Sequence, residues 1–478
     1  MQIVLIKEDK YLYDIHSLYK AFYPEQDVKV LLTSDTEKCK EVMDANPDAE
    51  ISEVDVSVSK NQLKKDTYLK LSEKTGKKLP WGNLTGIRPT RIIMNLIEEG
   101  KSDKEIIDHM RNQYCVSDEK IDLSLKIAHR EKDILKDIDY KNGYSLYIGI
   151  PFCPTTCLYC SFTSYPIGAF SGIVDDYISC LEKEIDYVAE EFKGKTLDTV
   201  YIGGGTPTTL EPNQLERLIG YLKDKLDFSK VKEFTVESGR PDSITRDKLK
   251  VMKKMGVTRI SVNHQTMRDE TLKLIGRRHT VDQLVSSFNM AREEGFDNIN
   301  MDIILGLPGE GASDVAYTMS KIAELAPDDL TVHSLAIKRG SKLAEIMDQT
   351  RQRTKNNLSD SNNSETGYLD EINNTVEMME IASKGARDMG LEPYYLYRQK
   401  NISGNFENTG FARKGKAGIY NILINEEVQS IVALGAGTVT KRVYGFDGRI
   451  ERCDNVKDVK LYMEQVDEMI KRKRKLFL

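Results

Sequence analysis

Long apolar runs are missing from this chain. No stretch approaches the ~18 consecutive apolar residues that a membrane-spanning helix needs, so insertion into a bilayer is not expected. The opening Gln2-Ile3-Val4-Leu5-Ile6 meets Lys7, Glu8 and Asp9 at once, too short for a secretory core and without a basic leader. A cytoplasmic location is the expectation. An excess of one charge is also lacking: 69 Lys and Arg stand against 75 Asp and Glu, a net −6. That balance predicts no nucleic-acid partner. The five consecutive cations Lys471–Lys475 read as a solvated helix end. Tryptophan occurs once, and Trp81 reads as an anchor for a neighbouring helix. Seven cysteines in 478 residues are too few for a disulfide framework. Cys39, Cys115, Cys180 and Cys453 are scattered singly and read as small buried hydrophobes. The other three, Cys153, Cys157 and Cys160, share one eight-residue stretch and need their own explanation.

What is present divides into three blocks, as a chain of this length predicts. Residues 1–140 read as an N-terminal α/β and helical extension, with strand-like Ile3–Ile6 and Val28–Leu32. Helical patterns follow near Tyr13–Phe22, Thr90–Glu99 and Asp118–Asp137. Residues 141–345 alternate between two periods. Runs rich in β-branched residues fall at Ser145–Ile150, Asp198–Ile202, Glu233–Glu237, Val257–Val262, Asn298–Leu305 and Leu330–Leu335. Amphipathic stretches between them cover Asp175–Phe192, Gln214–Leu226, Ile244–Met255, Val281–Glu294 and Val315–Leu325. The expected fold is α/β, a partial (β/α)6 TIM-like barrel with right-handed crossovers and its chemistry on the C-terminal strand ends. Residues 346–478 read as a C-terminal α+β domain with a helix near Asp370–Met389. The polar run Thr350–Glu365, nearly free of apolar residues, precedes that domain as a linker.

The first barrel strand runs into Pro151-Phe152-Cys153-Pro154-Thr155-Thr156-Cys157-Leu158-Tyr159-Cys160, a C-x3-C-x2-C loop. Three thiolates can hold three irons of a [4Fe–4S] cluster and leave the fourth with an open position. A structural zinc site wants four ligands, and no second cysteine pair exists. A thioredoxin-like pair at Cys157–Cys160 would sit in a different strand context. Three unrelated buried thiols are the blandest alternative.

With an aromatic residue just before its last cysteine, the loop resembles that of the radical S-adenosylmethionine (SAM) superfamily. The resemblance implies that SAM chelates the open iron and that its one-electron cleavage yields a hydrogen-abstracting radical. Gly203-Gly204-Gly205-Thr206-Pro207-Thr208 follows the second strand, Glu237 ends the third, and Gln265 and Arg277 follow the fourth. Asp302 and Gly306-Leu307-Pro308 belong to the fifth. In order and spacing these are similar to the oxygen-independent coproporphyrinogen III oxidase family, and Trp81–Pro89 resembles its HemZ-type branch. The family implies that Tyr147, Gly204 and Glu237 contact the cluster-bound SAM. Tyr159, Gly205, Thr206, Gln265, Arg277, Asp302 and Ala336 would line the same cleft, with room for a second SAM. The turn Leu434-Gly435-Ala436-Gly437-Thr438 would close the adenine side, with Val439 in contact.

The activity so implied is oxidative decarboxylation of two coproporphyrinogen III propionates to vinyl groups, fed by a reductant such as flavodoxin or ferredoxin. Arg398 and Arg413 are candidate partners for the substrate carboxylates. The family's oxidase has a further cysteine two residues past the cluster motif, where this chain has Phe162. A sister branch that handles haem shares an aromatic there and carries a His-Asn-x-x-Tyr-Trp motif. The nearest equivalent here, Glu407-Asn408-Thr409-Gly410-Phe411, lacks the histidine. Haem binding and delivery is therefore an alternative, and a radical SAM methyltransferase or haem-degrading enzyme a third.

Overall fold

The computed structural model describes the chain apart from residues 25, 55–57, 87, 140–141, 339, 356–373, 400–405 and 446–447. It forms two compact units, Met1–Arg130 with Leu396–Glu407, and Glu131–Tyr395 with Asn408–Leu478.

In the first unit, β1 (Gln2–Ile6), β2 (Val28–Leu32) and β3 (Glu50–Glu53) form a parallel sheet in the order β2-β1-β3. Parallel neighbours need crossovers, which the helices Leu12–Phe22 and Thr36–Asp44 supply. Ile15, Leu18, Tyr19 and Phe22 recur at helical spacing and pack with Val4 and Ile6. A second core gathers Trp81, Ile93, Ile106, Met110, Ile121 and Leu125. Trp81 is fully buried there and donates from Nε1 to Glu407 Oε2 at 2.8 Å.

The second unit is built on one sheet whose centre is six parallel strands in chain order. They are β4 (Gly143–Ile150), β7 (Thr196–Gly204), β8 (Glu233–Glu237), β9 (Arg259–Ser261), β10 (Ile299–Leu305) and β11 (Asp329–Ser334). Two short strands, β5 (Phe152–Cys153) and β6 (Tyr165–Pro166), pair separately above β4. The register aligns apolar side chains across the ladder: Ile148 opposite Ile202, Ile202 opposite Val236, and Val236 opposite Ile260. Helices between the strands bury one stripe each; Val174–Glu191 buries Tyr177, Ile178, Leu181, Ile185 and Val188. This is the expected (β/α)6 arrangement of a partial barrel. Because the six strands are parallel and in register, their following loops emerge on one rim.

Five further strands extend this sheet: β12 (Glu392–Tyr397), β13 (Asn408–Ala412), β14 (Ile431–Leu434), β15 (Val439–Val443) and β16 (Ile450–Asp454). β13 and β12 add beyond β11; β14, β15 and β16 add beyond β4, with β14 parallel to β4. The helix Lys342–Lys355 covers the first residues of the expected polar linker; residues 356–365 of that run lie outside the described residues. The next helix is Val376–Asp388, and residues 370–373 of the expected helical stretch are likewise outside.

Candidate cluster and cofactor site

The cysteine loop leaves β4 at Pro151 and is held from several directions. Gly205 N donates to Ile150 O at 2.8 Å, and Thr206 N to Phe152 O at 2.7 Å. Leu158 N donates to Ile275 O, and Thr155 Oγ1 to Gly276 O at 3.0 Å. Arg240, buried and clamped by Asp242 at 2.6 and 3.0 Å, reaches Thr155 O at 3.1 Å. The same Nη1 lies 3.9 Å from Cys157 Sγ, and Thr206 Oγ1 lies 3.5 Å from Cys153 Sγ. A Cβ on Gly205 would stand 2.6 Å from Phe152 O and 3.0 Å from Cys153 Sγ, so only glycine admits this close approach. Burial pushes the Cys153 thiol up to about 11 and raises Cys160 as well. Buried thiols of this kind ionise when a cation replaces their protons.

Among the described residues no three His, Cys, Asp or Glu side chains converge on a single-ion position. A four-iron cluster spreads its ligands over separate irons, whereas one ion draws them to a point. Three cysteines on one loop, with a hydroxyl and a guanidinium directed at two of the sulfurs, suit an electron-rich cluster.

Beside this loop, Gly204 adopts φ +106°, and its N donates to Glu237 Oε2 at 3.2 Å. Tyr201 donates its hydroxyl to Glu237 Oε1. A Cβ on Gly204 would lie 3.5 Å from the Tyr147 hydroxyl. Tyr147, Tyr201 and Tyr420 stack beneath, with Tyr201 and Tyr420 centroids 4.5 Å apart. Burial pushes Glu237 up to about 7; the nearby Asp302 adds to the rise, while Tyr201, Gly204 and Arg259 pull against it.

Farther round the rim, Arg277 Nη2 reaches Tyr159 Oη at 3.3 Å, and its Nη1 donates to Asn263 O at 2.6 Å. Gln265 has φ +74° and pairs with β10: its N donates to Asp302 O, and its carbonyl accepts from Ile304 N. The Asp302 carboxylate accepts from Asn300 at 2.8 Å and lies 4.0 Å from His333 Nε2. Ala336 is buried just past β11. Buried polar atoms without a hydrogen-bond partner collect on these loops: Gln265 Oε1, Arg277 Nε, Asn263 Oδ1, Ser238 Oγ and both ring nitrogens of His264 and His279. The structure therefore sets Gly205 and Thr206 against Cys153, places Gly204 beside them with Tyr147 and Glu237, pairs Tyr159 with Arg277, and pairs Gln265 with Asp302.

Val439 stands apart, part-exposed at the start of β15, lining a cavity of about 520 Å³ with Gly437, Asn455 and Lys457. Its turn nevertheless reaches the rim, because a Cβ on Gly437 would meet Thr163 Oγ1 at 2.9 Å.

Sequence reading missed Arg240, Tyr201 and Tyr420. Tyr201 had a signal, since it is the register partner of Tyr147 on the next strand. Two expectations need correction. Arg398 lies in the first unit, buried, donating to Leu84 O at 2.7 Å over the Trp81 ring. Arg413 follows β13, its N bonded to Asp328 O just before β11, at the end of the sheet opposite the cysteine loop. The Asn408–Phe411 stretch is a buried strand, with Asn408 Oδ1 accepting from Ser334 N, so it is committed to packing.

Fold and rim together define a radical SAM protein, and the Radical SAM superfamily profile matches residues 147–322, from β4 into the helix after β10. Within that superfamily the chain belongs to the family of oxygen-independent coproporphyrinogen III oxidase-like proteins. It is 39% identical over 419 residues to the oxygen-independent coproporphyrinogen-III oxidase-like protein HemZ of Bacillus subtilis, covering 86% of this chain and 80% of that protein. It is 31% identical to the heme chaperone HemW of the same organism, over 68% of this chain and 76% of that one. Against the oxygen-independent coproporphyrinogen III oxidase of Escherichia coli the identity is 34%, over 40% and 42% of the two chains. The solved structure of the Escherichia coli coproporphyrinogen III oxidase HemN shares the fold, with TM-score 0.52 and 22% identity over 71% of this chain and 73% of that one. Membership implies a [4Fe–4S] cluster and SAM. Among the described residues no helix is long and apolar enough to cross a membrane.

Proposed function

We propose that this protein is an oxygen-independent radical SAM oxidoreductase that converts coproporphyrinogen III propionates to vinyl groups in haem formation. The observation that carries the reading is the single rim on which the Cys153–Cys160 loop, Gly204, Glu237 and the Tyr159–Arg277 pair meet. In this reading Cys153, Cys157 and Cys160 each bind one iron as thiolate. When bound, cluster and SAM supply a hydrogen-abstracting radical at the cost of one electron from a donor such as flavodoxin or ferredoxin. The chain's own part is to position and to exclude water. Glu237 accepts hydrogen bonds from SAM, Gly204 leaves it room, and Tyr147 bounds it from below. Tyr159, Gly205, Thr206, Gln265, Arg277, Asp302 and Ala336 line the rest of the cleft, where a second SAM or the porphyrinogen edge would bind. The unpartnered Arg277 Nε and Gln265 Oε1 suit that role. The turn Leu434-Gly435-Ala436-Gly437-Thr438 closes the adenine side, with Val439 following it.

Reconstituted without oxygen, the protein should bind about four irons and four sulfides. With SAM, a one-electron reductant, coproporphyrinogen III and a one-electron acceptor to take the electron that the substrate radical gives up with carbon dioxide, it should release 5′-deoxyadenosine, carbon dioxide and a vinyl product. Cleavage of SAM without vinyl product removes the substrate assignment, and protein that stays iron-free removes the whole reading. Cys157→Ala should lose the cluster.

A second reading, haem binding and delivery, draws on Phe162. It is 67% exposed where the oxidase has cysteine, with Lys338 Nζ 5.4 Å from its ring. The similarity to the heme chaperone points the same way. Stoichiometric haem binding without SAM cleavage selects it.

A further inference from the structure

Between the first barrel helix and the C-terminal helix lies a charged network with no exposure. Lys473, on the helix Val466–Phe477, and Glu184, on Val174–Glu191, form an ion pair whose side chains are both 0% exposed. Two buried charges are costly unless every remaining donor and acceptor is met. Both charges have further partners here: Lys473 Nζ also donates to Asn455 Oδ1 at 2.7 Å, Asn455 Nδ2 donates to Glu184 Oε1 at 3.1 Å, and Tyr462 donates to Glu184 Oε2 at 2.6 Å. Gly435 N donates to the same Oε2 at 2.7 Å, with Asn455 Nδ2 farther off at 3.5 Å. Asn455 Nδ2 in turn donates to Gly435 O at 2.9 Å. Both peptide groups of one turn residue are thus held by the network.

That turn, residues 435–438, touches the cysteine loop's approach on both sides. Gly435, at φ +99°, would place a Cβ 2.5 Å from Gly149 O, and one on Gly149 would meet Thr438 Cγ2 at 2.5 Å. Gly437 lies against Thr163, three residues past Cys160. Tyr177 completes the seat, accepting from Ala436 N at 3.0 Å and donating to Gly149 O at 2.6 Å.

We infer that Glu184 is a positioning residue for the SAM site: with Lys473 and Asn455 it fixes the Gly435–Thr438 turn against the end of β4. The C-terminal helix thereby belongs to the machinery that holds the cofactor. This deepens the proposed function and rests on its assignment of the turn to the adenine side.

The test compares two neutral double variants, so that neither leaves a lone buried charge. Glu184→Gln/Lys473→Met keeps an acceptor for Gly435 N, whereas Glu184→Leu/Lys473→Met removes it. Anaerobic titration of the reconstituted proteins with SAM reads the dissociation constant, and iron content and melting temperature are measured alongside. The Leu variant should bind SAM about ten- to a hundredfold more weakly, the range seen when second-layer hydrogen bonds are removed. The Gln variant should stay within about threefold of wild type, by the same hydrogen-bond argument. Equal affinity in the two variants overturns the inference, whatever happens to their melting temperatures. Should the Leu variant fail to fold, Asn455→Leu removes the bond to Gly435 O together with Asn455's bonds to Lys473 and Glu184, while the Lys473–Glu184 contact itself stays; unchanged SAM affinity there overturns it equally. Wild-type protein that holds a cluster yet binds no SAM would instead overturn the reading of the site.

Discussion

Glu237 answers to two demands that pull its proton in opposite directions. As an acceptor for SAM it works best ionised, yet burial raises it from 4.5 to about 7. A carboxyl raised on folding costs stability as pH climbs from 4.5 through 7, and the full cost stands above that. Its nominal size is about 3 kcal/mol; for a side chain on a partly open cleft, about 1–2 kcal/mol is the fair expectation. Glu237→Gln should therefore stabilise the cofactor-free protein at pH 8 and leave it unchanged at pH 4.5, read by denaturant midpoints at both values. Equal gains at both would mean that the carboxyl is not the source. The same substitution should weaken SAM about tenfold at pH 8, the worth of a charged hydrogen bond. In the wild type, affinity should fall as pH drops below 7. Arg240 acts on the neighbouring side of the loop. A fixed cation near a cluster sulfur favours the reduced cluster, so Arg240→Leu should lower its midpoint potential, measured by a redox titration followed by electron paramagnetic resonance. An unchanged potential at full iron content would remove that role.

The loop after β7 shows what an element contributes that its residues cannot contribute singly. Gly205 sits where the β4 and β7 loops cross, and its missing Cβ is what lets the backbone pass Cys153. Gly205→Ala should force the loops apart and cost about 1–3 kcal/mol locally. Iron per chain should fall, while Gly168→Ala, with nothing within 4 Å of its Cβ, serves as the control and should keep its iron. Iron retained by Gly205→Ala would mean that the loop has slack. At this scale the barrel was legible in the sequence, because alternation between period 2 and period 3.6 is written locally in each strand and helix. The cysteine spacing was legible for the same reason. Arg240, Tyr420 and Glu184 were not: each acts across more than 50 residues of chain, and nothing nearby in sequence marks it. Arg398 and Arg413 show the converse. Residue type told their charge, but only the strand connectivity told which unit, or which end of a strand, each would occupy.

For the molecule as a whole, the division into two units makes separate stabilities measurable. The first unit depends on a segment from far along the chain, since Glu407 accepts from Trp81 Nε1 and from Lys120 Nζ at 2.7 Å inside its core. Lys120 and Glu407 are both nearly inaccessible, with side-chain exposures of 8% and 2%. Removing Glu407 takes the buried carboxylate from Lys120 and Trp81 Nε1 and leaves Lys120 only the exposed Glu119 at 3.2 Å, so Glu407→Leu should destabilise this unit by about 3–5 kcal/mol. The double variant Lys120→Met/Glu407→Leu should recover part of that, because Lys120's buried charge goes together with its partner's. The chain offers a probe for each half: its single tryptophan lies in the first unit, and the proposed cluster lies in the second. In Glu407→Leu the unfolding midpoint followed by Trp81 fluorescence should drop, while the midpoint followed by the cluster's visible absorbance should hold. If both midpoints fell together, the units would be one cooperative block, and the cofactor site would depend directly on the N-terminal unit for its stability.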